Sequence, residues 1–93
     1  MNLQQALSFL GQTPEAIART LQEQGIKGIV LDALACPVAC YLRMYCGYWR
    51  VSVSPSNIVW NLGLQNGIRP TPDTVADFLR RFDAKQYPYL ISG

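Results

Sequence analysis

At 93 residues with an apolar fraction of 49%, the chain is long enough for one hydrophobic core and too short for two, so a single compact domain over 1–93 is expected. Its charged fraction of 15% is low for a globular protein, which leaves apolar or neutral polar surface outside and favours contact with a partner or a second copy. The net charge of +2 is too small to mark a strongly basic nucleic-acid binder, although the stretch from Ala33 to Pro72 contains Arg43, Arg50 and Arg69 and no Asp or Glu.

In chain order, Leu3, Ala6, Leu7 and Leu10 recur at helical spacing between a capping Asn2 and Gly11, which predicts a helix over 2–10. Thr13-Pro14-Glu15 supplies a capping hydroxyl, a proline that needs no amide partner and a carboxylate suited to the helix dipole. A second helix over 14–24 follows, with Ile17, Ala18 and Leu21 inward. Ile29-Val30-Leu31 fits a short buried strand or the start of a helix, and periodicity alone does not decide over 29–35. Pro37 opens a third helix to about residue 46, with Val38, Tyr41, Leu42 and Tyr45 on one face and Gly47 as its stop.

Trp49, Val51 and Val53 alternate with polar residues, and Ile58, Trp60 and Leu62 do so again beyond Ser54-Pro55-Ser56-Asn57. The pattern predicts one antiparallel β-hairpin with both tryptophans on one side, and then a loop from Leu64 to Pro70. Thr71-Pro72-Asp73 repeats the earlier capping chemistry, and Val75, Phe78, Leu79 and Phe82 fill the helical template without a gap. The apolar end, Tyr87 to Ile91, is expected to pack back across the core. The fold class that results is α+β, about four short helices with one hairpin.

The N-terminus lacks the basic flank and apolar run of a secretory signal, and no stretch approaches the ~20 apolar residues of a membrane span, so a cytoplasmic protein without membrane contact is expected. Three cysteines cannot all pair within one chain, which fits a reducing compartment.

Cys36 at the start of a helix invites a thiol-dependent reading, since the helix dipole lowers a thiol pKa. Against it, Cys36-Pro37-Val38-Ala39-Cys40 has three residues between its cysteines, and the chain has no His to act as base. Cys36, Cys40 and Cys46 with Asp32 also lack the paired short spacings of a zinc site. The expectation is three reduced, metal-free and mostly buried thiols, no cofactor and no enzyme.

Three helices followed by a hairpin is the order of a winged-helix DNA reader, yet the outward side of helix 37–46 offers Ala39, Cys40, Arg43 and Met44, of which Arg43 alone suits a base edge or phosphate. Aromatics crowd between Tyr41 and Trp60, either as core or as interface. Tyr48, at the corner between helix and strand, is expected to be the exposed one. The expected function is therefore binding to another protein or to itself, through Arg43, Tyr48, Arg50 and Arg69. The alternatives are a winged-helix-like nucleic-acid-binding regulator and a thiol-dependent enzyme using Cys36.

Two segments, Ala35-Cys36-Pro37-Val38-Ala39-Cys40-Tyr41-Leu42-Arg43 and Phe78-Leu79-Arg80-Arg81-Phe82-Asp83 continuing to Tyr87-Pro88, resemble a group of small uncharacterised bacterial proteins. In that group a Cys-Pro-x-Ala-x-Tyr-Leu segment precedes a valine-rich strand, and an Arg-Arg-Phe-Asp…Tyr-Pro helix closes the chain. The resemblance covers the C-terminal two-thirds and implies that Cys36, Pro37, Tyr41, Leu42, Arg43, Arg80, Arg81, Phe82, Asp83, Tyr87 and Pro88 belong to one arrangement. It implies no activity, substrate or cofactor, and Cys40 departs from its pattern.

Overall fold

The helices start where a side chain or a proline resolves the problem of free amides. Asn2 accepts a hydrogen bond from the Gln5 amide at 2.8 Å and the Gln5 side chain accepts from the Asn2 amide, a reciprocal cap that opens α1 (Leu3–Leu10). Thr13 Oγ1 accepts from the Ala16 amide at 3.0 Å, and Pro14 then begins α2 (Pro14–Glu23). Cys36 and Pro37 do the same for α3 (Pro37–Cys46), which Gly47 ends in the left-handed region at φ 70°. These elements come from a computed structural model that describes residues 2–63 and 65–92.

The fourth helix, α4 (Asp73–Asp83), has no side-chain cap. Thr71, expected to supply one, donates its hydroxyl to the Ser54 carbonyl at 2.6 Å, and its amide donates to Ser56 O at 3.2 Å. A partner distant in sequence outcompetes the local cap, and Thr71 instead pins the chain to the turn between the first two strands.

Those strands are β1 (Arg50–Val53) and β2 (Asn57–Leu62), and a third, β3 (Gln65–Pro70), follows in antiparallel order β1-β2-β3. The expected hairpin is thus a three-stranded meander, and 65–70 is a strand where a loop was expected; Leu64 lies outside the described residues. Gln, Asn, Gly and Pro disguise β3, because its pairing rests on β2 and not on intrinsic propensity. Gly67 faces Trp60 across the ladder, and a Cβ there would fall inside the indole ring, so the residue that conceals the strand is the one that lets it pair.

The segment 29–35 is neither strand nor helix. Gly28 bridges to Ile91, Leu31 adopts φ 60°, and the Ala35 amide closes a turn on Asp32 O at 3.1 Å. A leucine at positive φ is strained, and Asp83 Oδ1 holds it there by accepting from the Leu31 amide at 2.9 Å.

The core gathers the inward faces of all four helices onto Val51, Val53 and Ile58 of the sheet. Tyr41 lies wholly within it and donates its hydroxyl to Ala6 O at 2.7 Å, tying α3 to α1. Arg81 reaches Glu15 at 2.8 Å and Asp77 at 3.6 Å, joining α4 to α2 by exposed pairs that add little stability. The C-terminus does pack back: Leu90 in the 3₁₀ turn Pro88–Leu90 is buried, and Gly28 exchanges hydrogen bonds with Leu90 O and the Ser92 amide, both at 2.8 Å. Among the described residues, then, four α-helices and a three-stranded antiparallel sheet make an α+β fold, and no helix is long and apolar enough to cross a membrane.

Two substitutions test this packing. Phe78, fully buried and stacked with Phe82 and Tyr87, should cost about 3–5 kcal/mol on Phe78→Ala in urea unfolding. Tyr41→Phe removes the hydrogen bond that ties α3 to α1 and should cost about 0.5–1.5 kcal/mol. A loss below experimental error in either would contradict the packing described.

Candidate functional site

Side chains alternate across a strand, so the three-stranded sheet has two chemically different faces. The inner face carries Val51, Val53 and Ile58, all buried in the core. The outer face carries Arg50 and Ser52 of β1, Val59 and Asn61 of β2, and Asn66 and Ile68 of β3, with Val59 directly opposite Ile68 and Asn61 directly opposite both Arg50 and Asn66. Val59 is 43% and Ile68 65% exposed. Leu34, 38% exposed, extends this surface from the neighbouring loop, which is fixed beside β1 by the bond from the Val53 amide to Ala33 O at 2.9 Å.

A cavity of about 320 Å³ lies on the outer face, bordered by Leu34, Arg50, Ser52, Val59, Trp60, Asn61 and Asn66. Asn61 Oδ1 is shielded from solvent and accepts no hydrogen bond among the described residues.

The four candidate residues divide between the two faces. Arg50 is exposed on the outer one. Arg43 lies close to it through Leu34, but its guanidinium donates to Leu34 O at 2.6 Å and to Cys40 Sγ at 3.4 Å, so it braces the loop that borders the cavity. Arg69 is on the inner side, opposite Ile58, and borders a separate cavity with Gln4 and Ser8 of α1. Tyr48 stacks on Trp60 with ring centroids 6.0 Å apart. Burial raises its pKa, the adjacent Cys46 adds to the rise and Arg69 opposes it.

Tyr48 is thus half-buried, and the exposed aromatic is its neighbour Trp49, at 77%. Trp49 directly precedes β1 and donates its amide to Asn61 O at 3.0 Å, and Trp60 folds over Gly67. Val59, Asn61 and Ile68 escaped the sequence reading. Val59 was readable as an aliphatic residue on the polar phase of its strand, while Ile68 was hidden in the supposed loop.

Cys36 is the buried thiol, and Cys40 and Cys46 are half-buried; all three are free. Cys36 Sγ accepts from the Ala39 amide at 3.4 Å and lies 3.7 Å from Val53 O and 3.9 Å from Ala33 O. The helix-start amides favour the thiolate, but desolvation outweighs them and pushes the thiol up to about 12. Asp32 accepts from the Leu34 amide at 3.0 Å, and among the described residues no group of three Cys, Asp or Glu side chains is placed to hold a metal ion.

No protein-family model, curated protein or solved structure matches the chain.

The buried thiol yields a pH prediction. Cys36 rises from 9.0 to about 12 and Tyr41 from 10.0 to about 12 on folding, so the folded state holds protons that the unfolded chain releases. The associated stability is complete below about pH 9 and is lost as pH rises towards 12. Urea unfolding should show this alkaline decline, with a shallower slope in Cys36→Ala, and iodoacetamide at pH 8 should spare Cys36 until denaturant is added. Rapid alkylation of Cys36 in the native protein would contradict its burial.

Proposed function

We propose that the protein is a non-enzymatic binding module whose outer sheet face docks another protein or a second copy of itself. One observation carries this reading: Val59 and Ile68 form an exposed aliphatic pair in the middle of a sheet face rimmed by Leu34 and Arg50. Aliphatic side chains on a rigid face, flanked by an arginine, are the makings of a small interface core with a polar rim.

The alternatives have weaker support. A nucleic-acid reading requires cations that act together on one surface, whereas Arg50 and Arg69 are on opposite faces and Arg43 is tied to a backbone carbonyl. Helix α3, which a winged-helix protein would lay in a groove, has Val38, Ala39, Tyr41 and Leu42 all buried, leaving it a narrow outer surface. A thiol enzyme would need a thiolate at Cys36, and burial opposes one.

The test is a comparison of surface variants in copurification from the source cells. A protein recovered stoichiometrically with the wild-type chain should be lost with Ile68→Lys and retained with Arg80→Ala, which alters an exposed residue of α4. Retention of the same partner by Ile68→Lys, or recovery of nucleic acid in its place, would refute the proposal.

A further inference from the structure

Among the described residues, an acceptor without a donor stands on the outer face beside a cation without an anion. Asn61 Oδ1 is shielded and unbonded among the described residues. Arg50, its partner across the ladder, is exposed, and among the described residues no carboxylate lies within ion-pair distance of it. Both border the cavity of about 320 Å³, whose apolar lining is Leu34, Val59 and Trp60.

The exposed cation and the apolar lining specify what the cavity would accept. A guanidinium matches a carboxylate through paired N–H donors. The aliphatic walls suit aliphatic side chains, and an extended chain presents backbone amides and alternating side chains together.

We infer that this cavity binds an extended segment of another protein in which an Asp or Glu stands among aliphatic residues, with Arg50 pairing the carboxylate and Leu34 and Val59 receiving the aliphatic side chains. The inference rests on the outer face being the docking surface, and goes further by choosing its occupant. Charge decides against a second copy: from Ala33 to Pro72, which includes α3 and the whole sheet, there is no Asp or Glu. Two copies pressed face to face would enclose two Arg50 guanidiniums with no counter-charge from either sheet, and an unpaired charge out of water is strongly disfavoured. Among the described residues Arg50 is also the one cation on this face, too few for a phosphate backbone.

The experiment pans a random dodecapeptide phage library on the immobilised full-length chain and then titrates the enriched peptides, made synthetically, by fluorescence anisotropy. The enriched sequences should share an Asp or Glu flanked by Val, Ile or Leu. Changing that acid to its amide in the peptide, or Arg50→Gln in the protein, should each raise Kd by at least ~10-fold, equivalent to about 1.4 kcal/mol. The two changes together should cost little more than one, and Arg50→Lys should restore part of the affinity. Circular dichroism should show these variants folded, since Arg50 is exposed.

Binding lost in Val59→Lys yet indifferent to Arg50→Gln and to the peptide's acid would overturn the acidic occupant and leave the docking face standing. Binding indifferent to Val59→Lys as well would overturn both. Acid-free enriched peptides, or no enrichment, would also overturn the inference. So would a salt-sensitive complex with a dodecamer of thymidylate or uridylate that displaces peptide, or a sedimenting dimer abolished by Val59→Lys.

Discussion

The rest of the structure depends on one constraint: its helices bury one face of the sheet and leave the other open. Ninety-three residues supply short helices whose apolar stripes meet each other and the inner positions Val51, Val53 and Ile58. Tyr41 at the centre fixes this arrangement, because its ring fills the core while its hydroxyl must find a carbonyl, and Ala6 provides it. Once α1 and α3 are joined on the inner side, no helix among the described residues lies over the outer one. The open face follows from this topology.

That asymmetry also sorts the basic and aromatic residues of the acid-free middle. Period-two alternation sends Arg50 outward and Arg69 inward, so residues that look like one patch in sequence do not share a surface. Arg43 is drawn off by a backbone oxygen of the 31–35 loop, which borders the outer cavity and also presses against β1. The same loop is held at Leu31 by Asp83 at the end of α4. The border of the outer face is therefore anchored to the last helix as well as to the sheet.

How much of this was legible depended on whether a residue's partner lay nearby in sequence. Asn2 and Thr13 cap amides three residues away, and both helices read correctly. Thr71 has the same local pattern as Thr13, but its hydroxyl finds Ser54, seventeen residues back. Gly67 signals a loop until it is known that Trp60 needs the space above it. The segment 29–35 shows no periodicity because its conformation is set by Ala33, Leu31 and Gly28 bonding to β1, α4 and the C-terminus. For the site, the sequence revealed Arg50 and the absence of acids. It could not show that Asn61 would be shielded and unbonded, since that needs the sheet to exist.

The one-sided burial of the sheet can be read directly by methyl NMR on dilute, isotopically labelled protein with a soluble nitroxide in the solvent. The methyl signals of Val59 and Ile68 should broaden strongly while those of Val51 and Ile58, two strand positions of the same chemistry on the opposite face, remain sharp. Equal protection of all four would mean that something covers the outer face in the free protein, and would contradict the account.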